Sequence, residues 1–192
     1  MRRLLILGCT KTKYQTSRLP LTAIERYNGT SFRMLRFHLS CSHVWNEVHP
    51  YRARTLDVLI ISAKHGLLLP DTYIESYDQV MTLAQADALR SNIRHDLAQL
   101  IQNRSPYQAT LIHLGYNYLC TLTARPENRI ATQLHIEVAR TSLVELVGDS
   151  FGQMTFITGG IGTRLGQLKH WLNAPRTSSV APPNALESCE SL

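Results

Sequence analysis

No apolar run in this 192-residue chain comes near the ~20 residues that a membrane-spanning helix needs, so a membrane partner is not expected. Cysteine is scarce. The four present, Cys9, Cys41, Cys120 and Cys189, show no CxxC spacing, which argues for reduced thiols and against a disulfide frame or a zinc site. The glycine pattern of a Walker loop is missing, and so are internal repeats and any heptad series that would point to a coiled-coil scaffold. Met1-Arg2-Arg3 leads only into Leu4–Leu7, shorter than the ~7–15 apolar residues of a secretory signal, so a cytoplasmic location is expected. No metal site and no cofactor are predicted.

What the chain does have is a globular composition. Hydrophobic residues make up 44%, enough for one domain over residues 1–174, followed by a tail at 175–192 rich in Pro, Ser and Ala that is expected to be flexible. Twenty Lys and Arg stand against 14 Asp and Glu, a formal charge of +6 that favours an anionic partner without naming one. These positive residues are scattered, which speaks against a disordered nucleic-acid arm.

Two uncharged runs, Leu4-Leu5-Ile6-Leu7 and Val58-Leu59-Ile60-Ile61, read as strands buried on both faces. A third apolar strand is expected over residues 109–114. Between the second and third, Thr82 caps a helix running to about Arg104, with Gln85 as capping-box partner and Leu83, Leu89, Ile93, Leu97, Leu100 and Ile101 as its apolar stripe. An earlier helix begins at Thr30 or Ser31, after the turn signal Asn28-Gly29, and carries Phe32, Leu35, Leu39 and Trp45 at helical spacing up to Pro50. Residues 130–139 suggest a fourth strand, 141–147 either a strand or a helix, and 148–152 a loop; a last helix follows residues 159–164. Strand, helix and strand alternate, so the expected fold is a single three-layer α/β domain, Rossmann-like, with a mostly parallel sheet of unspecified strand order.

Both buried strands end in polar, ionisable residues, and ligands of open α/β sheets bind beyond the carboxyl ends of strands. After the first strand, Thr10, Lys11 and Lys13 offer hydroxyls, amides and ammonium groups to a phosphate or carboxylate, or else form a solvated turn. Cys9 beside them is either a thiolate nucleophile or an inert buried thiol. After the second strand, Ser62, Lys64 and His65 precede Gly66, which permits a turn, and a loop of some fifteen residues adds Asp71, Tyr77 and Asp78. There His65 is the candidate acid–base, oriented by Asp71 or Asp78, since an imidazole titrates near working pH; the competing reading is that Tyr77 and Asp78 only tie the loop down. Gly160, Gly162 and Arg164 open the last helix and can approach an anion, or act as turn and cap. His113 with Tyr116-Asn117-Tyr118 forms a fourth cluster, read by default as core packing.

Three motifs carry a resemblance: Gly8-Cys9-Thr10-Lys11-Thr12-Lys13, Tyr27-Asn28-Gly29-Thr30-Ser31-Phe32-Arg33, and Ile61-Ser62-Ala63-Lys64-His65-Gly66-Leu67-Leu68 continuing through Pro70-Asp71, Ile74 and Tyr77-Asp78. Together they resemble the uncharacterised bacterial and phage domains related to the peroxide stress protein YaaA. The last motif also resembles a segment of the archaeosine synthase C-terminal region, and Ile161-Gly162 with Arg164 looks like the family's closing motif. The resemblance implies an α/β domain associated with nucleic acid, linked to DNA binding and oxidative-stress protection or to modification of a deazaguanine base, with Lys11, Lys13, Ser62, Lys64, His65, Gly66, Asp71, Tyr77 and Asp78 as the shared site. The expected function is therefore binding of a nucleotide or nucleic acid, with group transfer or hydrolysis at a base or nucleotide if the protein is an enzyme. The alternative is a non-enzymatic DNA- or RNA-binding protein. The oligomeric state is not read.

Overall fold

A computed structural model describes residues 2–15, 20–41, 55–104, 106–124 and 132–174. In chain order the elements are β1 (Arg3–Gly8), β2 (Leu21–Thr22), α1 (Ala23–Arg26), α2 (Thr30–Cys41), β3 (Leu56–Ser62), β4 (Gly66–Leu68), β5 (Tyr73–Ile74), α3 (Leu83–Arg104), β6 (Ala109–His113), α4 (Tyr116–Leu119), α5 (Thr132–Val147), β7 (Gln153–Phe156) and α6 (Ile161–Asn173). The protein is a mixed α/β structure around a five-stranded sheet in the order β4-β3-β1-β6-β7. All its pairings are parallel except the β3–β4 hairpin.

Residue chemistry explains the centre of the sheet. β3 is buried along its whole length and β1 at Leu4 through Leu7, because helices cover the sheet and leave no wet face for alternation to mark. Each Leu or Ile so buried contributes roughly 1.5–3 kcal/mol relative to exposure. α2 docks with Phe32, Leu35 and Leu39, and α3 with Ala86, Ile93, Leu97 and Ile101. The helices pair off, α2 packing on α6 and α3 on α5.

Several expectations are corrected. Of the strand expected at 130–139, the described part, from Thr132 onward, belongs instead to α5, which also absorbs 141–147. Leu134, Ile136 and Val138 alternate at strand period, yet Leu134 and Val138 are exposed while His135, Ile136, Ala139 and Leu143 share the buried helical face. The expected loop at 148–152 contains a 3₁₀ turn, Gly148–Phe151, whose Phe151 is fully buried. β7 went unread because it is a four-residue edge strand with half its residues exposed. The fifteen-residue loop after Ser62 is not irregular either: it folds back as β4 and then pairs β5 with β2. Gly66 makes the hairpin with φ of 73°. At the start of α3 only half the capping box forms. The Gln85 amide donates to Thr82 Oγ1 at 3.1 Å, but the Gln85 side chain donates to the Ala63 carbonyl at 2.9 Å instead of turning back to Thr82. Trp45, Pro50 and the tail at 175–192 lie outside the described residues.

Candidate functional site

Strand order decides where a crevice opens. β1 sits between β3 and β6; the chain leaves β1 toward β3 on one side and leaves β6 toward β7 on the other, so the connections diverge above their carboxyl ends. A cleft of about 410 Å³ lies there. β1 supplies Gly8, Cys9 and Thr10 to its wall, and the start of α2 supplies Gly29, Thr30 and Ser31. β6 and the turn after it contribute His113, Gly115 and Tyr118, and the start of α6 contributes Gly159, Ile161 and Arg164. Among the described residues, no Asp or Glu lines it.

The walls are held by backbone geometry. Thr10 Oγ1 donates to the Thr12 carbonyl at 2.8 Å and accepts the Gly29 amide at 3.2 Å, locking the first loop against the mouth of α2. A side chain at position 29 would begin 2.4 Å from Thr10 Cγ2, so this contact requires glycine. Ser31 Oγ lies 3.3 Å from His113 Nε2, tying α2 to β6. Arg164 Nη2 donates to the Leu114 carbonyl at 3.0 Å, whereas its buried Nε has no hydrogen-bond partner among the described residues. Burial pushes the Arg164 guanidinium below its ordinary pKa. Burial, and then the Arg164 charge, push His113 down to about 4, so its ring is neutral at pH 7.

Beside the cleft a second group of polar side chains gathers on Tyr77. Its hydroxyl lies 2.6 Å from that of Tyr27 and 2.8 Å from Ser62 Oγ, and donates to Cys9 Sγ at 3.6 Å. Cys9 Sγ in turn lies 3.0 Å from the Tyr118 hydroxyl in the cleft. Burial, followed by the charge Cys9 would carry as a thiolate, raises the pKa of Tyr27, Tyr77 and Tyr118, so all three phenols keep their protons at neutral pH. Ser62 Oγ accepts the amides of Lys64 and His65, which sets the hairpin turn. Lys13 Nζ stands 4.3 Å and Lys64 Nζ 5.6 Å from the Tyr77 ring centroid, and the His65 ring meets Tyr77 edge-on at 5.2 Å.

The residues singled out from the sequence therefore divide. Thr10 and Arg164 line the cleft; Lys13, Ser62, Lys64, His65 and Tyr77 form the neighbouring cluster, joined to it through Cys9. Lys11 is exposed and lines neither the cleft nor the cluster. Neither Asp71 nor Asp78 is among the groups that shift His65: burial and then the Lys64 charge lower its pKa, and the acid that opposes them is Glu75. Gly66 serves the turn. Gly160 is the N-cap of α6 and Gly162 lies in its first turn, both with open space where a side chain would go, and neither lines the cleft. Sequence reasoning had read Gly29 and Ser31 only as turn and cap, and His113 and Tyr118 as packing; a glycine facing a threonine across 19 residues leaves no local signal. Among the described residues no group of His, Cys, Asp and Glu is arranged to hold a metal ion.

Residues 4–142 match the family of unknown function DUF6884. The chain belongs to that family. No curated protein and no solved structure matches it. Among the described residues of this DUF6884 member, no helix is long and apolar enough to cross a membrane.

Proposed function

We propose that this protein binds the phosphate of a nucleotide or nucleic acid in the cleft between β1 and β6. The observation that carries the reading is a crevice at a point of diverging connections, with no carboxylate among the described residues that line it, Arg164 in its wall and the starts of α2 and α6 at its rim. Unpaired amides and the helix dipole favour an anion at both helix starts, and an anion beside Arg164 and His113 would offset what their burial costs. The Thr10, Thr30 and Ser31 hydroxyls add donors that carry no charge.

The finer fold reading agrees with this. Right-handed crossovers from β1 leftward and from β3 rightward put α2 and α3 on opposite faces, and the pairings of α2 with α6 and α3 with α5 fit a three-layer, Rossmann-like domain. The resemblance to YaaA-related domains points the same way, toward a cytoplasmic protein associated with nucleic acid. An acid–base step centred on His65 has less support, since the acid whose charge acts on its ring is Glu75 and not Asp71 or Asp78. A group-transfer or hydrolytic step would have to draw on Cys9, His113 or the phenols at the cleft.

Calorimetry with nucleoside 5′-monophosphates and inorganic phosphate tests the proposal. Wild-type protein should bind, and Arg164→Gln should weaken binding by about tenfold or more, in line with removal of a charged hydrogen-bond donor. Circular dichroism melts of the two proteins should stay close. Absence of binding by any of these anions, or equal binding by Arg164→Gln, would overturn the proposal.

A further inference from the structure

Arg164, Gly115 and Gly159 line not only the cleft but also a second, smaller chamber of about 140 Å³. Pockets that hold a whole small ligand run to roughly 300–1,000 Å³, so this chamber has room for one ring system of a ligand whose remainder lies in the cleft. Leu114, Leu119, Ile136, Phe156 and Ile157 give part of its lining, and the Tyr116 and His135 rings meet there at 4.9 Å.

One polar group stands out among them. His135 is 1% exposed; its Nε2 sits 4.0 Å from Cys120 Sγ, and its buried Nδ1 has no hydrogen-bond partner among the described residues. A buried, unpaired ring nitrogen costs about 1–3 kcal/mol, which a native structure normally relieves through a partner. A flat heterocycle meets the whole set of walls: its faces suit the aromatic and aliphatic side chains, and its edge suits Nδ1.

We propose that this chamber is a nucleobase subsite, with His135 Nδ1 hydrogen-bonding the edge of the base and Tyr116 packing on its face while the phosphate of the same nucleotide lies beside Arg164. The inference deepens the phosphate reading and rests on it. Burial lowers the His135 pKa, which keeps the ring neutral and able to pair with a neutral base.

Calorimetry should compare the four common nucleoside 5′-monophosphates with ribose 5-phosphate, which keeps sugar and phosphate but has no base, and with the free nucleosides. At least one nucleotide should bind about tenfold or more tighter than ribose 5-phosphate, as stacking one base on an aromatic ring accounts for. His135→Phe, which retains the ring, and Tyr116→Ala, at an exposed position, should each shrink that preference to about threefold or less while leaving ribose 5-phosphate affinity unchanged. Nucleotides that bind no tighter than ribose 5-phosphate would overturn the base subsite and leave the phosphate site standing, and so would a preference that survives both substitutions. If ribose 5-phosphate and phosphate do not bind, the cleft reading falls. In that case nucleosides that perturb the His135 imidazole NMR signals would still support the chamber, and their failure to do so would overturn it as well.

Discussion

Gly29 and Thr10 meet so closely that the cleft depends on a missing side chain. A Cβ at position 29 would stand 2.4 Å from Thr10 Cγ2 and 2.9 Å from its Cβ, so the first loop or the mouth of α2 must shift to accept one. Gly29→Ala should lose about 1–3 kcal/mol in urea denaturation, the usual cost of overpacking. Adding Thr10→Ser, which removes the closest atom, should restore part of that loss, and no restoration would mean that the contact is not its cause. His113 makes a prediction about pH. With its folded pKa near 4 against an ordinary 6.5, the unfolded chain takes up a proton first as pH falls. Stability should therefore be level above pH 7 and decline between about pH 6.5 and pH 4, by up to about 3 kcal/mol in all. His113→Asn should flatten that decline in chemical denaturation. An anion bound beside the ring raises its pKa, so sulfate, which keeps its charge over this range, should bind wild type more tightly at pH 5 than at pH 7 and bind His113→Asn alike at both. A pH-independent sulfate affinity in the wild type would place the anion away from His113.

The elements divide into two edges of one sheet with different work. At the amino edge, the buried carboxylate of Asp57, near the start of β3, accepts a hydrogen bond from Tyr107 at 2.8 Å and pairs with Arg2 at 3.3 Å, with Arg104 at 4.0 Å. Asp57→Ala leaves the buried Tyr107 hydroxyl without its acceptor, so it should cost about 1–3 kcal/mol in a denaturation experiment. Binding at the carboxyl edge should survive at temperatures where the variant stays folded, and a loss of affinity there would tie the two edges together. Elements of this kind are legible where burial erases alternation: β1, β3 and β6 each hold a short uncharged run, and α3 carries a long stripe. α5 is harder to read because Leu134, Ile136 and Val138 alternate as in a strand; only burial separates Ile136 from the exposed Leu134 and Val138. The site was half legible for a related reason. Strand ends announce themselves by polar residues, which located Thr10 and Ser62. The choice between neighbouring crevices, however, depends on β6 lying next to β1, and strand order leaves no mark on local composition. His113 and Tyr118 could be recognised as cleft residues only once that adjacency was known.

At the scale of the whole molecule, the excess of basic residues serves the fold as much as any ligand. Arg3 donates to the Trp171 and Leu172 carbonyls, Arg26 to Tyr14 and Ile74, Arg36 to Ile24 and Tyr27, Arg90 to Cys120, Arg94 to Leu122 and Arg140 to Met154. These guanidinium groups clamp loop and helix-end carbonyls across distant parts of the chain, which holds many of them in place within the structure and away from a common basic stripe. Among the described residues, Lys11 and Lys64 are exposed, Lys13 is buried, and Lys13 and Lys64 stand over Tyr77. Salt dependence separates a one-phosphate pocket from a polyanion groove. Each phosphate neutralised on duplex DNA contributes about −0.9 to the slope of log affinity against log salt, so a groove using six or more contacts would show a slope beyond about −5. This protein should show a slope near −1 to −2 with a nucleoside monophosphate, and with a short oligonucleotide a slope only modestly steeper. Substituting Lys11, Lys13 and Lys64 together by Ala should remove that increment while leaving monophosphate affinity within about threefold, because none of the three lines the cleft. A steep slope on duplex DNA that this triple variant abolishes would favour the non-enzymatic nucleic-acid-binding alternative, in which the Tyr77 cluster, and not the cleft beside Arg164, is the main contact.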